Sequence, residues 1–360
     1  MRKFQLHPQW QEVGEKIARE GGVALVLGAV DVGKSTFCAA VAFYALNFYQ
    51  KVAVVDADIG QSDIGPPGTI GLGFAHPEMM SLSDIPLSAL YFVGDISPQG
   101  HFLDMVVGTE KMVRKALELG AELVLVDTTG LVSGMPARKL KSFKIEAIRP
   151  NHLVALQRGI EVEHILKGWE KTSWLNIYRL PPSPLASARS FEERKENRER
   201  KVLSHFANAS FLTFTLDRIA FRNSPIFATN PLHPSLLKYL ESKWGRKLLW
   251  GEGDRWGIWL VGEEKYGGLS PLSLERELGK KVHIITVDEL TDRYVGLASE
   301  NGEYIEVGII KSIGFAEKNL TIYTPLRDAN KVSTIVFGSM KINLPQKKED
   351  KYVQNEDISG

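Results

Sequence analysis

Short apolar runs alternate with helix-like patterns over the first half of the chain. The runs have the length of buried strands and fall at residues 23–27, 52–55, 89–93, 123–126, 153–156 and 175–180. Between them, apolar residues recur at the spacing of a helix face over residues 36–48, 101–119, 137–148 and 161–169. This alternation predicts an α/β fold with a doubly wound, mostly parallel sheet that carries helices on both faces.

The pattern changes after a proline-rich break at residues 181–184. A charged helical run follows over residues 189–201, and a helical pattern returns over 232–249. The other patterns after residue 210 are short strands at 211–215, 257–261, 282–287 and 304–310, and Asn301-Gly302 predicts a hairpin over 294–307. We therefore predict a first domain over residues 1–210 that includes a helical segment at about 187–206, a β-rich C-terminal domain over 211–345, and a disordered tail over 346–360.

The composition says more about the class of protein and its cellular location than about its function. With 44% hydrophobic and 24% charged residues, the chain is typical of a soluble globular protein. Its net charge of +1 does not indicate a nucleic-acid partner, so any basic contact surface must be local. The single cysteine, Cys38, excludes an intramolecular disulfide and a cysteine-rich zinc site. No apolar run is long enough for a membrane span or a signal peptide, so we predict a cytoplasmic protein, nuclear if eukaryotic.

A glycine-rich turn lies between the first apolar strand and the first long helix. Residues 28–36 match G-x-x-x-x-G-K-[ST] in the order strand, turn, helix that this motif needs. Backbone N–H groups in such a turn point at one spot, at the positive end of the helix dipole, which suits a polyphosphate. Lys34 can reach the terminal phosphates, and Ser35 can ligate Mg²⁺. The sequence therefore predicts a nucleoside triphosphate site made of Gly28, Ala29, Val30, Asp31, Val32, Gly33, Lys34, Ser35 and Thr36.

Two later apolar strands end in aspartates. Asp56 and Asp58 follow the second strand, and Asp127 closes the fourth. A carboxylate beside the γ-phosphate can hold Mg²⁺ or accept the proton of an attacking hydroxyl. All three are candidate metal ligands together with Ser35, and Asp58 and Asp127 compete for the main metal role. The alternatives are local capping by Asp56 and an ordinary turn after Asp127.

Two arginines differ from the other charges of the run over 189–201. Arg194 and Arg198 have no carboxylate three or four positions away, and they face each other at i,i+4, which costs roughly 0.2–0.5 kcal/mol. Elsewhere in the run, Glu192 can pair with Lys195, and Glu196 with Arg200. An arginine pair without a partner on its own helix, after a proline-rich break, predicts a mobile lid that awaits an anion. A solvated helix face is the alternative.

A second basic segment lies at residues 138–144. At helical spacing, Leu140, Phe143 and Ala147 would face the interior. Arg138, Lys141 and Lys144 would then form a basic strip near the end of the Asp127 strand. Such a strip suits a nucleic-acid backbone, and a solvated helix face explains it equally well.

With these residues, the chain resembles the P-loop polynucleotide 5′-hydroxyl-kinase family. Its members include a kinase subunit of the pre-mRNA cleavage machinery, nucleolar kinases of pre-rRNA processing and single-subunit archaeal relatives. Residues 28–36 look like the family's P-loop, Asp56-x-Asp58-x-Gly60-Gln61 like its Walker B element, Thr128-Thr129-Gly130 like its clasp for the nucleic-acid end, and 189–198 like its arginine lid. Residues 295–297, 307–310 and 320–325 resemble its C-terminal domain. The short segment before the P-loop is similar to that of archaeal members, without the N-terminal β domain of eukaryotic ones.

The resemblance implies transfer of the ATP γ-phosphate to the 5′-hydroxyl end of RNA, with DNA left open as a second substrate, in RNA processing or repair. It implies ATP as substrate, Mg²⁺ as cofactor and RNA-processing protein partners. Lys34, Asp58, Arg194 and Arg198 would be catalytic, and the nucleic-acid end would be bound by Gln61, Thr128, Thr129 and Gly130.

Two alternative functions stay open. The first is a catalytically silent, ATP-bound scaffold of an RNA-processing complex, which damaged motifs would mark. The second is a hydrolysing P-loop NTPase, for which a guanine-reading Asn/Thr-Lys-x-Asp motif is missing from the sequence.

Overall fold

The first half of the chain folds into strands that alternate with helices. The computed structural model describes residues 6–184, 190–263 and 271–344. The elements up to residue 180 are α1 (Pro8–Glu20), β1 (Gly22–Gly28), α2 (Lys34–Ala45), β2 (Val52–Ala57), β3 (Thr69–Phe74), β4 (Leu87–Phe92), α3 (Phe102–Glu118), β5 (Leu123–Thr128), α4 (Gly134–Ile148), β6 (His152–Leu156), α5 (Glu163–Leu166) and β7 (Asn176–Leu180).

The second half begins with a helix and is otherwise rich in strands. Its elements are α6 (Phe191–His205), β8 (Ser210–Thr215), β9 (Ala220–Arg222), β10 (Asn230–Pro231), α7 (Pro234–Trp244), β11 (Leu248–Gly253), β12 (Gly257–Gly262), α8 (Pro271–Leu278), β13 (Lys281–Thr286), α9 (Val287–Leu290), β14 (Arg293–Ala298), β15 (Tyr304–Gly314), β16 (Asn319–Thr324) and β17 (Thr334–Lys341). The predicted hairpin is β14–β15. The predicted helix over 232–249 was too long, because its last residues already belong to strand β11.

One large sheet runs through both halves of the molecule. Its strand order is β7-β6-β1-β5-β2-β3-β4-β15-β14-β17-β9, and β16 and β8 continue from β15. Strands β7, β6, β1, β5 and β2 are parallel, so their carboxyl ends meet at the same edge. A ligand in such a sheet binds outside these carboxyl ends. The predicted fold class, a mostly parallel α/β sheet with a β-rich C-terminal part, is confirmed.

The parallel strands are apolar on both faces because each face carries its own core. In β1, Val23, Leu25 and Leu27 belong to one core, and Ala24 and Val26 belong to the other. This alternation is the period of two that a strand imposes. Helices α3 and α4 cover the first face, and α1 and α2 cover the second. The turn after β1 is thus fixed to a rigid base.

The C-terminal strands join the large sheet at its antiparallel edge. Strand β4 contacts β15 through a single register pair, Leu90 and Tyr304. A second, four-stranded sheet has the order β10-β11-β12-β13. The domain boundary near residue 210 stays a prediction, and the predicted tail over 346–360 lies outside the described residues. Within the described ranges, no helix is both long and apolar enough to cross a bilayer.

Candidate active site

The turn between β1 and α2 needs its glycines. Asp31 and Gly33 have φ values of 53° and 95°, in the left-handed region. A Cβ on Gly28 would lie 2.6 Å from the carbonyl oxygen of Leu156, and one on Gly33 would lie 2.8 Å from the ring of Trp10. Helix α2 begins at Lys34, directly after this turn, so its first N–H groups face the space above the turn. The motif therefore has the anion-binding geometry that the sequence predicts.

Ser35 and Asp127 are in direct contact at the carboxyl end of the sheet. The Ser35 hydroxyl donates to Oδ2 of Asp127 at 2.5 Å, and the buried Lys34 ammonium donates to the Ala29 carbonyl at 2.8 Å. Burial raises the pKa of Asp127 to about 6, while the Lys34 charge and the Ser35 hydrogen bond act in the opposite direction. The hydroxyl and the carboxylate form an oxygen pair of the kind that Mg²⁺ prefers.

Asp56 lies beside Asp127 in the sheet, but it faces the following loop. Its Oδ1 accepts from the N–H of Asp58, and its Oδ2 accepts from the N–H groups of Asp63 and Ile64. Burial and the neighbouring Asp127 carboxylate raise the pKa of Asp56 well above its usual range. These contacts are those of local capping, the alternative that the sequence left open, and its metal role stays a prediction.

Asp58 and Gln61 stand in this loop, which follows β2. Oδ1 of Asp58 accepts from the N–H groups of Gly60 and Gln61 at 3.1 and 3.2 Å, so the carboxylate has a fixed orientation. The Gln61 amide donates to the Gly60 carbonyl at 2.9 Å. Among the described residues, its buried Oε1 has no hydrogen-bond partner, which is costly for a buried amide oxygen.

The residues after Asp127 link β5 to β1 and to the P-loop. The Thr128 hydroxyl donates to the Val26 carbonyl in β1 at 2.8 Å, and Thr129 follows at the end of the strand. A Cβ on Gly130 would lie 2.6 Å from the backbone nitrogen of Val30, so this loop touches the P-loop directly. The structure therefore places Gly130 against the P-loop, while the binding role of the three residues stays a prediction.

Helix α4 is rotated relative to the sequence prediction. Lys141 and Lys144 are fully buried, whereas Phe143 is 56% exposed and Ala147 faces solvent. The basic strip predicted from Arg138, Lys141 and Lys144 is wrong, because only Arg138 lies on the outer face. The signal in the sequence was the stripe of Ala137, Leu140, Lys141, Lys144, Ile145 and Ile148, whose spacing of three and four residues marks a single helix face.

The charged run after the proline-rich break forms α6, here called the lid helix. A capping box between Ser190 and Glu193 fixes its start. The Arg194 guanidinium pairs with Asp31 of the P-loop at 2.9 Å. Near the other end, the Lys201 ammonium contacts the Ser62 carbonyl and the Asp63 carboxylate. The lid helix therefore spans from the P-loop to the loop that carries Asp58.

The ion pairs of the other charged residues in the lid helix differ from those that the sequence predicts. Arg198 lies one turn after Arg194 and is half-buried, and among the described residues it makes no ion pair. Lys195 pairs with Glu199 at 3.9 Å rather than with Glu192. The start of the predicted lid, with Arg189, lies outside the described residues.

Within the described ranges, no group of three or more His, Cys, Asp and Glu side chains is placed to hold a metal. A site of one hydroxyl, one carboxylate and nucleotide phosphates does not need such a group. A parallel sheet with this turn after β1, and with Ser35 against the carboxylate at the end of β5, defines a P-loop nucleotide-binding protein.

Comparison with known proteins narrows this class. Residues 28–208 match the family described as mRNA cleavage and polyadenylation factor CLP1 P-loop. The chain is 33% identical over 330 residues to a polyribonucleotide 5′-hydroxyl-kinase of Pyrococcus abyssi, with 90% of this chain and 88% of the relative covered. It is 32% identical over 322 residues to one of Methanocaldococcus jannaschii, with 89% and 86% covered. The chain belongs to this family of CLP1-type P-loop kinases, which confirms the resemblance seen in the sequence.

A solved structure of Clp1p in complex with residues 454–563 of Pcf11p has the same fold. It matches with a TM-score of 0.59 and 12% identity, over 92% of this chain and 78% of Clp1p. At that identity the likeness concerns the fold alone.

Proposed function

We propose that this protein is an ATP-dependent polynucleotide 5′-hydroxyl kinase that acts on RNA. The observation that carries the proposal is the arrangement of an acceptor side around the P-loop. Asp58 and Gln61 follow β2, and Thr128, Thr129 and Gly130 lie at the end of the neighbouring parallel strand β5, so both groups lie at the carboxyl edge of the sheet with the P-loop. The lid helix contacts the P-loop at Asp31 and the Asp58 loop at Ser62 and Asp63. A hydrolase needs no such second subsite, and the archaeal relatives that match most of the chain are named as kinases of this kind.

The nucleotide side uses the P-loop. The backbone N–H groups of residues 28–36 and the start of α2 bind the β- and γ-phosphates of ATP, and Lys34 binds their oxygens. The Lys34 ammonium is held near this position by the Ala29 carbonyl, 2.8 Å away. Ser35 and Asp127 would hold Mg²⁺, which when bound neutralises charge on these phosphates.

The acceptor side binds the 5′ end of RNA. Asp58, which the Gly60 and Gln61 N–H groups orient, accepts the proton of the 5′-hydroxyl as its oxygen forms a bond to the γ-phosphorus. The bond from that phosphorus to the β–γ bridging oxygen breaks, and ADP leaves with the electron pair. Gln61 Oε1 accepts a hydroxyl hydrogen bond from the terminal ribose, and Thr128, Thr129 and Gly130 hold the end in place.

The lid helix supplies positive charge to the transferring group. Arg194 already lies at the P-loop through Asp31, and Arg198 follows on the same helix. As the phosphoryl group moves, charge on its oxygens is stabilised by these guanidinium groups.

A labelling assay tests this function. The protein is incubated with γ-labelled ATP, Mg²⁺ and matched RNA and DNA oligonucleotides that carry a 5′-hydroxyl or a 5′-phosphate. We expect label on the RNA that carries a 5′-hydroxyl and none on the RNA that carries a 5′-phosphate. With Lys34→Ala we expect no label on either RNA. ATP binding without any label would instead indicate the scaffold, and free phosphate independent of oligonucleotide would indicate the NTPase. Label on DNA would extend the substrate class.

Two assignments about the cellular setting are also part of the proposal. A cytoplasmic location, nuclear if eukaryotic, is the prediction made from the sequence, and protein partners from RNA processing are what the family implies. Clp1p binds Pcf11p in the solved complex, and a pull-down with this chain as bait would show whether it too has a stable partner.

A further inference from the structure

Two buried lysines on α4 lie behind the acceptor side. Lys141 and Lys144 are one helical turn apart, and neither side chain is exposed to solvent. Burial, and then the Lys144 charge, lower the pKa of Lys141 well below its usual range. Burial also lowers the pKa of Lys144 to about 7. Two buried groups of the same charge at this separation are costly, so their surroundings must offset the cost.

Lys141 holds the loop that follows β5. Its ammonium donates to the Thr128 hydroxyl oxygen at 2.9 Å and to the Thr129 carbonyl at 2.6 Å. The Thr128 hydroxyl in turn donates to the Val26 carbonyl of β1. This buried chain of hydrogen bonds joins α4, the loop and the central strand, and it fixes the backbone that is proposed to bind the 5′ end.

Lys144 has a different environment. Among the described residues its ammonium has no hydrogen-bond partner, although it is fully buried. The charges that favour its ammonium form are those of Asp58, then Asp56, then Asp127. Of the two lysines, Lys141 is therefore the one whose hydrogen bonds reach the loop after β5.

We propose that Lys141 is a positioning residue for the 5′-hydroxyl end of the RNA substrate. It holds Thr128 and Thr129 in the conformation that receives the end. The inference rests on the proposed kinase function. It assigns Lys141 to the acceptor and not to ATP, because its hydrogen bonds go to the loop after β5, while Lys34 serves the phosphates.

The test compares Lys141→Met with wild type in steady-state labelling of 5′-hydroxyl RNA. Methionine keeps the length and apolar stem of lysine and removes the ammonium. We expect Lys141→Met to raise KM for RNA by about tenfold or more. The dissociation constant of ATP, measured by calorimetry, should stay close to that of wild type.

A matched control is Lys139→Met, which removes an exposed lysine from the same helix and should leave every constant unchanged. Thr128→Val provides a second route to the same contact, since it removes the hydroxyl that Lys141 contacts. It should raise KM for RNA as Lys141→Met does, and the double variant should be no worse than either single variant.

Each result bears on one of the two proposals. If wild type does not label RNA, the kinase function itself is wrong. If wild type labels RNA and Lys141→Met keeps the KM for RNA of wild type, the positioning role is wrong. If a lysine variant weakens ATP binding as strongly as it weakens RNA binding, the lysine supports the fold in general, and the assignment to the acceptor is likewise wrong.

Discussion

The guanidinium of Arg194 lies 2.9 Å from the carboxylate of Asp31, and this contact joins the lid helix to the P-loop. The side chains are 26% and 17% exposed, so solvent screens the pair less than it screens an ordinary surface pair. Asp31 has a left-handed backbone in the middle of the turn, and its carboxylate pairs with the lid helix. The ion pair therefore holds Arg194 beside the P-loop.

Replacing the lid arginines should impair turnover far more than nucleotide binding. We expect Arg198→Ala and Arg194→Ala each to lower kcat by roughly 10³–10⁵, because each removes charge that stabilises the transferring group. Lys195→Ala, on the exposed side of the same helix, is the matched control. A loss of less than about tenfold in the labelling assay would show that the arginine is not part of the transition-state site.

The Asp31–Arg194 contact can be measured by a double-mutant cycle. Asp31→Ala should free the lid helix at one end, so kcat should fall although Arg194 is still present. We expect a coupling energy of roughly 0.5–3 kcal/mol between Asp31→Ala and Arg194→Ala in kcat/KM. Additive effects of the two changes would mean that the ion pair does not position the lid helix.

The two candidate metal carboxylates should separate in their Mg²⁺ dependence. Asp127→Asn weakens the oxygen pair with Ser35, so we expect activity to return partly at high Mg²⁺ concentration. Asp58→Asn removes the proton acceptor, so kcat should fall by roughly 10²–10⁴ at every Mg²⁺ concentration. A Mg²⁺ titration of the activity of both variants distinguishes the two roles. If high Mg²⁺ restores the activity of Asp58→Asn and not that of Asp127→Asn, Asp58 is the metal ligand and Asp127 is not.

Gly130→Ala should disturb the P-loop from outside the motif. The added methyl group would meet the backbone of Val30 at 2.6 Å, so the turn must shift. We expect ATP affinity to fall by about tenfold or more, since backbone atoms of the turn make the phosphate contacts. Gly168→Ala, where a Cβ meets only the Ile165 carbonyl at 3.6 Å, is the control for a glycine substitution as such.

The buried Lys144 should make the free energy of unfolding depend on pH in the neutral to alkaline range. Burial lowers its pKa to about 7 in the folded protein, whereas the unfolded chain has the ordinary lysine pKa of 10.5, so the unfolded chain binds more protons between these values. The free energy of unfolding of wild type should therefore rise with pH over this window, relative to Lys144→Met, by at most about 1.4 kcal/mol per pH unit. Urea unfolding of both proteins from about pH 7 to about pH 10 measures the difference. Parallel curves would mean that burial does not shift this lysine.

Local motifs carried most of what the sequence predicts correctly. The turn at 28–36, the apolar strand before it and the aspartate at the end of β5 can each be recognised from a few consecutive residues. Strand β3 was missed because Gly71 and Gly73 interrupt its apolar pattern. The structure gives the reason: a Cβ at these positions would clash with Ile64 and Ile85, which pack across the strand.

The parts of the site that depend on contacts between distant elements were not predictable in the same way. Lys141 and Lys144 were assigned to solvent because buried lysines are rare, although their spacing marks the buried face. The ion pair of Arg194 could not be predicted from the sequence either, because its partner Asp31 is 163 positions away. Such pairings are set by the packing of α6 and α4 against the sheet, which no short pattern encodes.

The contact between Gly130 and Val30 makes the donor and acceptor subsites thermodynamically linked. Because the two loops are in contact, a ligand that orders one of them changes the free energy with which the other binds its own ligand. Such linkage is reciprocal: whatever factor ATP applies to RNA affinity, RNA applies to ATP affinity. Where that factor exceeds one, the enzyme favours the ternary complex over either binary one, and ATP binds more weakly when no 5′ end is bound, which limits loss of the phosphoryl group to water.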